Sequence, residues 1–136
     1  LEVTESSMMG DGDAVVGKLR RLAEAGVSIA IDDFGTGYSS LSYLKRLPVN
    51  TVKIDRAFTT GLGTDRSDTA IVQAVVAFAA CMGLMVTAEG VETETQYDAV
   101  RRMGCDRAQG YFLSRPLPEA AAGRLLTAAA VDSAAA

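Results

Sequence analysis

Short apolar runs alternate with longer amphipathic stretches along the whole chain. The runs LEVT (1–4), VSIAI (27–31), TVKI (51–54), LMVTA (84–88) and RAQGYF (107–112) have the length and composition of strands. Between the first two, Val15, Val16, Leu19, Leu22 and Ala23 recur at helical spacing and predict a helix over 13–25 that stops at Gly26. Ile71, Val72, Val75, Val76, Ala79 and Met82 predict another over 67–82, with Ser67 as N-cap and Gly83 as the stop. Shorter helices are predicted at 39–46, ending before Pro48, at 93–103, and at 118–129 after Pro116 and Pro118. Strands separated by helices run parallel, so the order predicts an α/β fold.

A doubly wound sheet and a section of a (β/α)8 barrel both satisfy this alternation. The polar residues favour the barrel. Glu2, Asp32 with Asp33, Lys53, Glu89 and Gln109 all fall at or near the C-terminal ends of separate predicted strands, the rim where barrel enzymes place their chemistry. A complete barrel takes about 200 residues or more, so the expectation is a partial (β/α)8 TIM-type barrel. The chain also opens directly in a strand-like segment and closes in AAAVDSAAA, which reads as the later part of a longer domain (1–128) followed by an alanine-rich tail (129–136).

Composition narrows the partners. With 136 residues and 49% hydrophobic content, one modest domain with a real core is expected. Thirteen basic against seventeen acidic residues leave a net charge of −4 without a basic stripe, which speaks against duplex nucleic acid and anionic membranes. Cys81 and Cys105 lack a CxxC or metal-ligand pattern and read as buried free thiols, in keeping with a cytoplasmic location. No membrane-length apolar run and no leader pattern is seen in the sequence, although a larger parent could be membrane-anchored.

Carboxylates at strand ends are costly unless paired or metal-bound. Asp32 and Asp33 would point to opposite faces of a continuing strand, and with Glu2 and Glu89 they make a set of four carboxylates in a chain that has no histidine. All-oxygen ligation suits Mg²⁺ or Mn²⁺ rather than zinc. The alternative is that these acids cap helices or pair with Lys53 and nearby arginines. The glycines of GTG (35–37) read equally as a phosphate loop or as a turn. GDAVVGK (12–18) has P-loop spacing, but Leu19 stands where a hydroxyl should hold magnesium. DFG (33–35) lacks the HRD loop of a kinase.

Four segments, LEVTES, IAIDDFGTGYSSLSYLKRLPVNTVKID, VTAEGVET and AQGYFLSRPLP, together resemble the EAL-domain phosphodiesterases, which hydrolyse cyclic di-GMP. The resemblance covers roughly residues 1–128 and implies the later strands of a modified TIM barrel with a two-metal Mg²⁺ or Mn²⁺ site. By that resemblance Glu2, Asp32, Asp33 and Glu89 match metal ligands, Lys53 the lysine near the attacking water, and Gln109 a glutamine at the same rim. Glu5 matches a glutamate that steadies the following loop, here Phe34, Gly35, Thr36, Gly37, Tyr38 and Ser39 within the segment to Ser40, which is implicated in metal binding and dimerisation. Asp55 and Glu92 match further positions of the same motifs.

The resemblance also implies a homodimer, attached sensory or GGDEF-type domains, and hydrolysis to linear pGpG in the whole protein. The Glu-Ala-Leu motif and an asparagine ligand belong upstream of Leu1, so the 136 residues alone are expected to be inactive. A parent lacking those ligands would instead be a nucleotide-binding regulatory module.

Overall fold

The computed structural model of the chain describes residues 1–4, 7, 12–37 and 44–134. Its elements are β1 (Glu2–Thr4), α1 (Gly12–Glu24), β2 (Ala30–Phe34), β3 (Thr51–Ile54), α2 (Arg56–Thr60), α3 (Arg66–Met82), β4 (Met85–Ala88), α4 (Glu94–Met103), β5 (Arg107–Ala108) and α5 (Glu119–Ala134). The five strands form one parallel sheet in the order β1-β2-β3-β4-β5. A doubly wound sheet would reverse its order at a switch point. Chain order without reversal is the winding of a barrel, here a partial one.

The sheet has two unlike faces. Val3, Ile31, Val52 and Val86 are in register across four strands, and Ile54 pairs with Ala88 in a later row. This apolar face meets the helices. Ile31, Val52, Ile54, Val86 and Ala88 are buried there with Val16 and Leu19 of α1 and Val72, Val75 and Ala79 of α3. Each Val, Leu or Ile among them, fully buried, contributes about 1.5–3 kcal/mol. The opposite face carries Ala30, Asp32, Thr51, Lys53, Thr87 and Arg107, a polar surface that suits the inside of a barrel.

Several boundaries differ from the sequence expectation. The run predicted as a strand over 27–31 is displaced, the strand being Ala30–Phe34, because Asp32 and Asp33 lie within it. The run at 107–112 gives only two strand residues; Leu113 and Ser114 donate to the Gly110 carbonyl at 3.1 Å and turn the chain. Helix α3 is capped by Asp65, not Ser67: its carboxylate accepts from Ser67 N (2.7 Å) and Oγ (2.6 Å), hydrogen bonds that hold its pKa below the usual value. A five-residue helix, α2, is too short to show periodicity and was not expected; Asp55 caps it by accepting from Ala57 N at 2.8 Å.

Leu22 and Ile71 stand at the edges of their helices' buried stripes and are exposed. Cys81 is also exposed, against expectation, because it lies two residues beyond buried Ala79 and so on the far side of α3. Cys105 is partly buried, and burial with the nearby Asp106 charge pushes its thiol up to about 11. The helix expected over 39–46 lies largely outside the described residues; at its end Leu44 is buried and its carbonyl accepts from Leu47 N. The helical backbone of α5 runs on through Ala134, into the residues read as a tail. Among the described residues no helix is long and apolar enough to cross a membrane.

Candidate metal centre

Asp32 and Asp33 do not diverge as a regular strand would require. Ile31 pairs with Val52, yet Phe34 pairs with Ile54, so β2 spends one more residue than β3 over the same distance. This is a β-bulge, and Asp33 adopts φ 54°, a left-handed conformation that aspartate tolerates better than most residues. Asp33 is thereby turned to the rim beside Asp32, and Phe34 returns to the helix layer, stacked on Phe78 of α3 with ring centroids 6.5 Å apart. One oxygen each from Asp32, Asp33 and Glu89 lies within 4.8 Å of the others.

Lys53 stands under this group. Its Nζ is 2.7 Å from Glu89 Oε1, 2.8 Å from Glu2 Oε2 and 3.0 Å from Asp32 Oδ1. The lysine side chain is 8% exposed, those of Glu89 and Asp32 18% and 23%, and that of Glu2 57%. Burial opposes the charge on Lys53, but hydrogen bonds with Glu2, Glu89 and Asp32 outweigh it and raise the pKa above its ordinary value. Glu2 opens β1 instead of closing it. It joins the site across Lys53, while Asp32, Asp33 and Glu89 form the compact group.

The donor set fits a hard divalent cation. Asp32 Oδ1 is buried 3.0 Å from an ammonium that Glu89 and Glu2 also share, so the carboxylates offer more acceptor capacity than the three N–H donors of Lys53 can fill. Partial desolvation, then the charges of Asp32 and Asp55 and a hydrogen bond with Asp55, raise the pKa of Asp33, with Lys53 offsetting them in part. A cation at the three carboxylates would use that capacity and relieve Asp33.

A cleft of about 220 Å³ opens beside Glu89, with Arg56, Glu92, Gln109 and Tyr111 in its lining. The turn that carries Glu89 is tied on several sides: Glu89 N donates to Ile54 O (3.1 Å), Val91 N to Gln109 O (3.1 Å), and Glu92 N to Gln96 Oε1 (2.8 Å). Gln109 itself is exposed and its N–H donates to Ala88 O at 2.8 Å. Arg56 reaches Glu92 at 3.8 Å. The sequence reading missed Arg56 and Gln96. The Thr-x-x-Gln pattern at Thr93 and Gln96 is a capping-box signature that would have found the latter.

Of the loop after the aspartates, Phe34 belongs to β2 and the core, while Gly35, Thr36 and Gly37 form an exposed turn in which Thr36 Oγ1 donates to Asp33 O at 2.8 Å. Glu5, Tyr38 and Ser39 lie outside the described residues.

Comparison with known proteins agrees with this architecture. The bifunctional diguanylate cyclase/cyclic di-GMP phosphodiesterase MucR of Pseudomonas aeruginosa is 54% identical over 118 residues, 87% of this chain and 17% of its own length. The cyclic di-GMP phosphodiesterase NbdA of the same organism is 48% identical over 134 residues, 98% of this chain and again 17% of its own. The chain therefore spans about one-sixth of these relatives. A solved cyclic di-GMP complex of the MucR phosphodiesterase superposes with a TM-score of 0.84 over 88% of this chain and 48% of that one. A manganese and cyclic di-GMP complex of Klebsiella pneumoniae BlrP1, 37% identical, superposes with 0.79 over 85% of this chain and 29% of that one. The EAL domain family model matches residues 1–116, and this chain belongs to that family.

Proposed function

We propose that this chain supplies five strands of a metal-dependent phosphodiesterase site that opens one phosphodiester of cyclic di-GMP to give linear pGpG. The observation that carries the reading is the meeting of Asp32, Asp33 and Glu89 within 4.8 Å beside Lys53, on the open rim of a parallel sheet. The substrate comes from kinship with MucR and NbdA, which are named for action on this nucleotide.

Asp32, Asp33 and Glu89 would hold Mg²⁺ or Mn²⁺, with Glu2 as a further carboxylate across Lys53. Divalent ions bound there would supply Lewis-acid stabilisation of the phosphoryl oxygens and a water of lowered pKa. Lys53, held cationic by its partners, orients that water or offsets charge developing on the phosphate. Gln109 and the cleft beside Glu89 receive the nucleotide.

The same reading assigns the Gly35–Gly37 turn, with Glu5, Tyr38 and Ser39, to coupling between the site and a homodimer partner, and places the module in the cytoplasm with attached sensory or GGDEF-type domains. Residues 1–136 assayed alone are expected to be inactive, since five strands leave β1 as an open edge and the Lys53 face uncovered.

The test is hydrolysis of cyclic di-GMP by the whole protein with Mg²⁺ or Mn²⁺. Glu89→Ala is expected to abolish metal-dependent turnover. Unchanged activity in that variant overturns the assignment.

A further inference from the structure

Gln96 is a buried polar side chain that does more than cap its helix. Its Oε1 accepts from Glu92 N (2.8 Å) and Thr93 N (3.0 Å), and its Nε2 donates to the carbonyl of Thr60, 3.2 Å away and 36 residues earlier. A capping box needs only the bond to the N-cap N–H. The bonds to Glu92 and Thr60 lie outside that requirement.

These two extra bonds join the walls of the site. On one side is the turn from Glu89 to Thr93, which carries the carboxylate shared by Lys53 and the two aspartates. On the other is α2, whose N-cap is Asp55, whose first residue, Arg56, stands on the cleft wall, and whose C-terminal residue is Thr60. The two walls also touch closely at Gly90, where a Cβ would meet Arg56 Cβ at 2.5 Å. Glu89 N also donates to Ile54 O (3.1 Å), at the end of the strand from which α2 departs, so the spacing of the two walls bears on where Glu89 stands at the rim.

We infer that Gln96 is a positioning residue for the candidate metal centre: by clamping the Glu89–Thr93 turn to α2 it holds Glu89 at ligating distance from Asp32 and Asp33. The inference rests on the reading of those carboxylates as metal ligands. Groups that orient ligands from behind cost about 10–100-fold in metal affinity when lost.

The experiment measures Mn²⁺ binding to the whole protein by calorimetry, without nucleotide, alongside thermal melting in chelator. Gln96→Glu keeps the acceptor for Glu92 and Thr93 but sets an oxygen against the Thr60 carbonyl, and Gln96→Met removes every bond at similar length; either folded variant serves. The expected result is about tenfold weaker Mn²⁺ binding. Thr93→Ala, which removes the helix cap and keeps the Thr60 link, is expected to lower the melting temperature but leave Mn²⁺ affinity within about twofold.

If Thr93→Ala weakens Mn²⁺ binding as much as the Gln96 variants, or if the latter bind normally, Gln96 is only a cap and the inference fails. Glu89→Ala separates this from failure of the underlying reading. Loss of Mn²⁺ binding in Glu89→Ala with normal binding in the Gln96 variants overturns the positioning role alone. Normal binding in Glu89→Ala overturns the metal site itself.

Discussion

Lys53 Nζ and Glu89 Oε1 meet at 2.7 Å, one from within β3 and the other directly after β4. The same ammonium also serves Glu2 and Asp32, so a single nearly buried cation balances three carboxylates on the polar face of the sheet. That surplus of negative charge sets the energetics of this face of the sheet.

Replacing Lys53 by Met is expected to destabilise the metal-free protein by about 1–3 kcal/mol at neutral pH, because partly buried carboxylates lose their partner. The pKa of Lys53 is raised on folding, so its contribution is fully present below the unfolded value of 10.5 and is lost only as pH rises through the higher folded value. Denaturant unfolding of both proteins across neutral and alkaline pH measures the difference. Equal stability at pH 7 would count against the ion pairs as drawn.

Asp33 shares the sign of that pH slope but works against the fold at neutral pH. Its pKa is raised above 3.8, so the folded metal-free state binds more protons than the unfolded one, and stability falls as pH rises from 3.8 through the folded value. Asp33→Asn, which also accepts a left-handed backbone, is expected to flatten that slope and weaken Mn²⁺ binding by at least about tenfold. Asp33→Val adds a β-branched side chain at φ 54° and should cost a further 1–2 kcal/mol or so. pH-dependent melting in chelator, paired with calorimetric Mn²⁺ titration, tests both.

Phe34 anchors the end of the bulge by stacking on Phe78. Phe34→Ala is expected to cost about 3 kcal/mol and to loosen both aspartates. A melting temperature close to that of the parent would show that the bulge holds its shape without this anchor.

Two glycines should behave oppositely. A Cβ on Gly110 would overlap the backbone of Val91, so Gly110→Ala is expected to destabilise by about 1–3 kcal/mol and distort the cleft beside Glu89. Gly17, within α1, has open space around it, and Gly17→Ala should gain about 0.5–1 kcal/mol. Chemical denaturation of the two variants decides the matter, and a shared sign would contradict the packing described here.

The alternation of apolar runs with amphipathic stretches was enough to read a parallel α/β fold, since hydrophobic period is a local property of the chain. The carboxylates at Asp32, Asp33 and Glu89 were legible because charge at the end of an apolar run is costly wherever the run goes, whereas Glu2 opens its strand and joins the group only through Lys53. The bulge that gathers Asp32 and Asp33 on one rim was not legible, because it arises from the mismatch in register between β2 and β3.

Pairing of these acids with Lys53 was one of the alternatives the sequence offered, but that one ammonium would meet three of them, and that Gln96 would reach Thr60, depends on strands and helices distant in sequence. The sequence by itself determined which elements form and which residue types stand near their ends. The tertiary structure decided which of those residues touch, because side-chain contact depends on sheet order, register and one left-handed residue, and no local pattern encodes these.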